Sequence, residues 1–598
     1  MHRAERLEKE YDWVGAAESY QKALNLLPQD DFSKIGEIHE RSGYAFYRLA
    51  FQAENSDDFR ERIHKAVKDY GKAKEFYGKM GEPGKAARML RCDGMIAQVG
   101  YWLASESQEK KKLTGECWTF AKDCLEAFEK AGDTYEYGRT FNQLSICIDL
   151  GFFFDWDFKV RERMIREALE HGEQAIKFLS TVGDSVELAR AYVKTANFLE
   201  TFGYYFVEFD ERDKHHQKAK GYVHKAIEVS EEAAMIEVPS VLFGEGSGGY
   251  WGDGTDTAVS NFEKALEYGR KTRDKFIIGR ALDLLAYQTM WQSMTPEDPD
   301  GIAKLRKRAL QYAEDARHQY SPISFTSPRG GGFWEGGPCA HYYASLSYSE
   351  TNLGKKRELL EKAVEAAPEE LKRAESSGYP SIISWEHEVY GIALVHFAKI
   401  VTDSKEKQRL LEEALLHINE ANRIIRQTDP LACWNLGLMR FQQANAKSDL
   451  AYLAKEDITR KSMLQEALLD MEASLGLCVK EATRYDQDGS AAAHAVIGEE
   501  QYGYGNTLNR LHLLDHNSDH LREAIGAFDD AAESFQKSNL TSRMAECRWK
   551  TAQVYDTLGE HLRAAESFDL ASNNYRSAGE KIPQLKNFYQ DYALYMEA

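Results

Sequence analysis

Apolar residues recur at spacings of three and four along nearly the whole chain, a pattern that predicts one amphipathic helix after another. Within these runs a triplet returns: a small residue, a larger apolar residue four positions on, and alanine three further. It reads Ala16, Tyr20, Ala23, then Ala66, Tyr70, Ala73, and Ala258, Phe262, Ala265. It comes back as Ala414, Ile418, Ala421, as Ala524, Phe528, Ala531, and as Ala564, Phe568, Ala571. Steps of four and seven put all three residues on one helix face. The small members let a neighbouring helix approach closely, and the larger one fills the space beside them. Only 12 prolines occur in 598 residues, so few of these helices are broken internally.

Turn signals punctuate the helices in a fixed register. Gly81 and Glu82, Gly132 and Asp133, and Gly183 and Asp184 follow one another at 51-residue intervals. Glycine just past a helix end suits the left-handed capping position, and an acid after it suits the start of the next helix. Six residues beyond each glycine stands a small residue (Ala87, Gly138, Ala189), and seven beyond stands arginine (Arg88, Arg139, Arg190). Arg273 and Asp274 followed by Gly279 and Arg280, and Asn539 followed by Ala545, repeat parts of the same register.

The triplet resembles the second helix of the tetratricopeptide repeat, whose last small position is followed five residues later by proline. Pro28 stands in that place after Ala23, and Pro368 after Ala363. Trp549, Tyr555, Leu558 and Gly559, ahead of Ala564, Phe568 and Ala571, also resemble that family's first helix. The likeness covers nearly the whole chain, strongest at both ends. The spacing here is mostly 40 to 51 residues rather than the family's 34, which is similar to long-helix members such as the SNAP-type fusion adaptors. The resemblance implies an all-α fold: a right-handed α-α superhelix, a tetratricopeptide-like solenoid, of about twelve helix pairs with a terminal helix near residues 583–597.

Two segments break the pattern. In 244–254, glycines surround Tyr250 and Trp251, with Asp253 after them. In 327–338, Arg329 and a glycine run precede Phe333 and Trp334, with Glu335 after them. The expected organisation is therefore N-terminal repeats over 1–234, an irregular region over 235–340 carrying both loops, and C-terminal repeats over 341–598. Glycine lets backbone approach a ligand, and tryptophan offers a flat stacking face. Tyr250, Trp251, Asp253, Arg329, Phe333, Trp334 and Glu335 are accordingly the candidate partner- or ligand-binding residues. The plainer alternative is a pair of long connecting loops whose tryptophans plug the interior. The aromatics on first helices, Tyr44, Tyr47, Tyr101, Trp102, Tyr204, Tyr205, Trp385, Trp434, Tyr502 and Tyr504, are expected to divide between core packing and a groove lining.

Composition narrows the function. The net charge is −20, and the Lys and Arg residues alternate with Asp and Glu as on solvated helix faces. No basic stripe marks a nucleic-acid site. The 8 cysteines are scattered without a CxxC pair, which suits free buried thiols and a cytoplasmic setting. No apolar run is long enough to span a membrane. Gly244, Gly246 and Gly249 match a dinucleotide loop but follow a helical stretch rather than a strand. His387 and Glu388 begin a zinc-protease motif that fails at Gly391. Asp486, Asp488 and Gly489 begin a calcium loop that fails at Ile497, and Ser490 reads as a helix cap instead. His215 and His216 are adjacent and expected to face solvent. Gly505 and Asn506 resemble one piece of a carboxylate clamp whose lysines are absent.

The reading that results has no catalytic residue, cofactor or metal. It is a protein-interaction scaffold that binds a peptide or protein in the concave groove. The alternative is a ligand-sensing array of a signal-transduction regulator, with the Gly/Trp loops on a small molecule. The short first helix, Arg3 to Glu10, leaves an apolar face near Leu7 and Trp13 for which an upstream effector domain or a second copy is the expected cover.

Overall fold

The computed structural model describes residues 2–81, 84–208, 211–237, 255–293, 298–323, 340–350, 352–431, 433–484 and 491–598. Among these residues the ordered elements are all helices, and no strand occurs. They pack as successive antiparallel pairs, so the fold is an all-α solenoid. The inner helices are Phe32–Ala50, Lys85–Tyr101, Thr134–Leu144 with its continuation Ile146–Gly151, Ser185–Tyr205, Lys275–Gln292, Ala340–Ser349, Pro380–Ile400, Cys433–Ala451, Ala491–Asp515 and Thr541–Thr557. The outer helices between them include Ser56–Tyr77, Ser107–Ala131, Phe158–Val182, Arg212–Glu237, Thr255–Thr272, Pro299–Tyr320, Leu353–Ser377 and Ser404–Thr428. Lys586–Glu597 closes the array, as the pattern predicts.

The local rules behind the helices hold where they can be checked. Gly132 and Gly183 adopt φ of 72° and 84°, and Asn539 and Arg273 take the same left-handed region at 59° and 55°. Asp133 accepts from the Glu136 amide, and Asp184 from the Val186 and Glu187 amides, each capping the following helix. Gly81 departs from the register, since its φ is not positive. The outer-helix triplets face inward: Ala66, Tyr70, Ala73, Ala414, Ile418, Ala421, Ala524, Phe528 and Ala531 are all buried. Rings of the outer helices press on glycines of the inner ones. A Cβ on Gly279 would lie 2.3 Å from Tyr320 Cε1, and one on Gly505 2.7 Å from Phe528 Cε1. Gly505 is thus a packing glycine rather than part of a clamp.

Pro368 sits on the exposed side within Leu353–Ser377, which continues through it with Ala367, Glu370 and Ala374 buried on the other side. Two expectations need correction. His216 is buried and bonds Glu200 at 2.8 Å, while His215 packs on the Phe202 ring, because the preceding inner helix lies directly over them. Trp13 is buried within the chain, edge-on to Tyr44 at 5.8 Å, so its face is already covered.

Each turn of the coil rests on the next, end to end. The Lys275 amide, at the start of its helix, donates to the Phe51 carbonyl just past the end of Phe32–Ala50 at 2.9 Å. The amides opening one helix are unsatisfied within it, as are the carbonyls closing another, so abutting the two satisfies both. Arg48 reaches Asp274 at this joint, and Phe51, Trp102 and Phe276 form an aromatic triad with centroids 5.0 to 5.9 Å apart. At a second joint, Tyr379 stacks on Phe154 at 3.9 Å, shares a 2.8 Å hydrogen bond with the Tyr101 hydroxyl, and donates to the Leu150 carbonyl. At a third, Tyr204 donates to Asn435, Arg212 to the Leu431 carbonyl, and Arg161 to both Asp429 and the Thr428 carbonyl. The Arg48–Asp274, Tyr379–Leu150 and Tyr204–Asn435 contacts join residues 226, 229 and 231 apart. In each case five outer helices lie between the joined inner helices among the described residues.

Two predictions follow from the packing and the joints. Gly279→Ala should destabilise by about 1–3 kcal/mol because Tyr320 blocks the added carbon. Gly526→Ala, in an outer helix with open space beside it, should stabilise by about 0.5–1 kcal/mol, and thermal denaturation of the two variants reads the contrast. The Arg161–Asp429 pair is fully buried, with 1% and 4% of the side chains exposed. Asp429→Ala alone should cost about 3–5 kcal/mol, and Arg161→Met added to it should recover most of that, a coupling that a double-mutant cycle measures.

Candidate functional site: the inner face of the first turn

Tyr250, Trp251, Asp253, Arg329, Phe333, Trp334 and Glu335 all lie outside the described residues. Asp486, Asp488, Gly489 and Ser490 do as well. The described residues assign the first-helix aromatics mainly to packing. Tyr47, Tyr101, Trp102, Tyr204 and Tyr205 are buried in one continuous core at or near the joints between turns. Tyr504 is buried in a C-terminal cluster, while Tyr44, Trp385 and Tyr502 are half-buried. Aromatic residues are well suited to the joints, since each buries a large apolar area while Tyr and Trp keep a polar atom for the helix ends.

The inner helices also carry a row of polar groups. Arg41 and Arg48 project from Phe32–Ala50, Arg139 from Thr134–Leu144, and Arg190 from Ser185–Tyr205. Each meets a carboxylate. Arg41 lies 3.1 Å from Glu5, Arg48 2.8 Å from Asp274, Arg139 3.5 Å from Glu136, and Arg190 3.0 Å from Glu187 and 3.4 Å from Glu237. Lys194 reaches Glu237 at 3.1 Å, one turn along from Arg190. Tyr44 acts electrostatically on both Arg48 and Arg190, which sit three inner helices apart. The four arginines still keep 24, 22, 16 and 27% of their side-chain surface open.

Behind them a second, closed network ties three consecutive inner helices together. Arg91, on Lys85–Tyr101, is 1% exposed and bridges Glu40 at 2.8 Å to Glu136. Tyr77, from the adjoining outer helix, donates to Glu40 at 2.7 Å. Burial pushes the Glu136 carboxyl up, but Arg91 and Arg139 outweigh it and hold the group at about 2. Burial likewise raises Glu40, which Arg91 and Arg139 hold below the usual carboxylate range. Ordinary surface ion pairs contribute little to stability, whereas a buried network of this kind becomes costly once one member is lost.

The register arginines of the sequence divide accordingly. Arg139 and Arg190 reach the interior, while Arg88 lies over the Tyr77 ring at 5.6 Å. Arg41, Arg48 and Arg91 carried no repeat signal, and their partners are remote in sequence. The chemistry the face offers is recognition: a ladder of guanidinium forks and carboxylates that an extended polar segment can pair with in alternation. Among the described residues, no three His, Cys, Asp or Glu side chains are grouped to hold a metal ion. None of the helices among the described residues is long and apolar enough to cross a membrane.

No family model and no curated relative matches the sequence. Similarity to solved structures is found with helical proteins. A circular tandem repeat protein with novel repeat topology and enhanced subunit contact surfaces shares 12% identity over 91% of this chain and 99% of its own, at a TM-score of 0.18. Yeast Tom70 shares 13% over 94% and 96%, at 0.26. The human IFIT1 dimer with m7Gppp-AAAA shares 11% over 91% and 95%, at 0.27. Superposition this loose carries no residue or function across.

The buried network makes a pH prediction. A carboxyl whose folded pKa is depressed contributes stability above its unfolded pKa, here near 4.5, and loses it as pH falls through about 2. Melting temperature should therefore drop between about pH 4.5 and 2, and Glu136→Gln should shrink that drop while lowering stability near neutrality.

Proposed function

We propose that this chain is a protein-interaction scaffold of the tetratricopeptide-like kind, which takes an extended peptide or protein segment along the inner face of its first turn. The observation that supports this most is the row of Arg41, Arg48, Arg139 and Arg190, deep in the coil yet partly open, each next to an acid. An incoming segment with alternating charge exchanges some of these internal pairs for intermolecular ones, which favours specificity over raw affinity.

A second reading rests on the two Gly/aromatic segments. In it the array senses a small molecule, with Tyr250, Trp251, Asp253, Arg329, Phe333, Trp334 and Glu335 as its contacts. Such a ligand raises stability by about 2.7 kcal/mol at a hundredfold excess over its dissociation constant.

Panning a random peptide display library on the full chain separates the two. The scaffold reading expects enriched peptides with micromolar affinity, weakened about tenfold by Arg139→Gln combined with Arg190→Gln and weakened further by added salt. Failure to enrich any peptide, or binding unmoved by those substitutions, would contradict it. If metabolites instead shift the melting temperature, and Trp251→Ala or Trp334→Ala removes the shift, the sensing reading takes its place.

A further inference from the structure

Away from the inner face, a cleft of about 540 Å³ opens between the outer helices Pro299–Tyr320 and Leu353–Ser377, with Tyr343 of the inner helix Ala340–Ser349 at its back. Its chemistry is sorted by depth. Glu370 lines the floor, 5% exposed, with both carboxylate oxygens on the Ala340 amide at 3.0 and 3.3 Å. One backbone donor uses little of a carboxylate's accepting capacity, and the remaining lone pairs belong to a group lining the cleft. Arg317 and Arg373 stand at the exposed edge, from the two opposite helices. Among the described residues neither forms an ion pair, unlike the arginines of the inner face. Glu314, half-buried on the first outer helix, also lines the cleft, as do the exposed His318 beside it and Glu369 next to Glu370.

A carboxylate at the bottom, two guanidinium groups at the rim and a tyrosine ring at the back make a site with opposite charge at its two ends. We propose that this cleft binds a small zwitterion of the free amino-acid class, with the ligand carboxylate on Arg317 and Arg373, the ammonium on Glu370, and the intervening carbon atoms against Tyr343. A simple anion satisfies only the rim, and a simple amine only the floor. The pairing is independent of what the inner face binds.

Protonation supports the assignment. Burial is the largest influence on Glu370 and pushes it up to about 7, against the Ala340 amide and Arg373, which lower it. An ammonium group beside it favours the ionised form, so binding expels a proton near neutrality. With a carboxyl at about 7, affinity rises roughly tenfold between about pH 6 and 8, as the ionised fraction does.

Titration calorimetry of the full chain with the free L-amino acids, alongside acetate and ethylamine as single-charge probes, tests this. The expected result is an amino acid that binds, tightens about tenfold from pH 6 to 8, and releases protons into the buffer, while acetate and ethylamine bind far more weakly. Glu370→Gln keeps an acceptor for the Ala340 amide and should abolish both the pH dependence and the proton release. The pair Arg317→Ala and Arg373→Ala, on the surface, should weaken binding about tenfold or more without changing the melting temperature. The assignment is overturned if no amino acid binds at millimolar concentration, if acetate or ethylamine binds as well as the amino acid, or if the variants bind like the parent.

Discussion

The end-to-end contact between one turn's inner helices and the next turn's is the constraint on which the rest of this structure depends. A helix leaves its first amides and its last carbonyls without internal partners. In an open solenoid these ends meet water. Here the Phe51 carbonyl meets the Lys275 amide, and Tyr379, Tyr101, Arg161, Arg212 and Asn435 fill the other joints. Three of these contacts, Arg48–Asp274, Tyr379–Leu150 and Tyr204–Asn435, span 226 to 231 residues, with five described outer helices between the joined inner helices in each.

The inner helices bear the consequences. They are shielded by neighbours in their own turn, by the outer helices behind them, and at their ends by the next turn. Between residues 187 and 207, every position on and just past the helix Ser185–Tyr205 is buried or half-buried. Apolar residues alone would collapse such an interior into an undifferentiated core. Instead polar groups are paired helix by helix: Glu40 with Arg91, Arg91 with Glu136, Asn142 with Glu187, Asn197 with Asp149, Lys194 with Glu237. The first four pairs span neighbouring inner helices and Lys194 reaches the end of an outer one, so the ladder sets the register of the helices as well as offering the surface we propose for a partner. Half-satisfied, the same groups would be strongly destabilising, which ties the stability of the coil to the integrity of the ladder.

Much of the architecture was legible in the sequence because it rests on short-range rules. The Ala66, Tyr70, Ala73 face, the left-handed glycines at 132 and 183, and the aspartate caps at 133 and 184 depend on residues within one or two turns of each other. Arg139 and Arg190 stood out because they recur in that register. What escaped was whatever depends on residues more than 200 positions apart. Nothing near Arg48 announces Asp274, and nothing near Tyr101 announces Tyr379. The first-helix aromatics were visible as a class, but whether Tyr101 lines a groove or fills a joint is decided by a second turn that no local pattern encodes. His216 was misplaced for a nearer reason: its burial comes from the preceding helix packing over it, with Glu200 only 16 residues away. Glu370 gave no signal at all: in a chain with 96 acidic residues, one buried carboxylate looks like the rest.

The closure of the turns is tested most directly at the Lys275 amide, by residue-resolved hydrogen exchange on the full chain. An amide in the first turn of a helix lacks an intrahelical acceptor and ordinarily exchanges fast. With its acceptor supplied by Phe51 across the joint, the Lys275 amide should be protected to the degree of amides in the middle of the same helix. Exchange at the unprotected rate, with the helix interior still protected, would mean that the turns stand apart, and would contradict the closed coil.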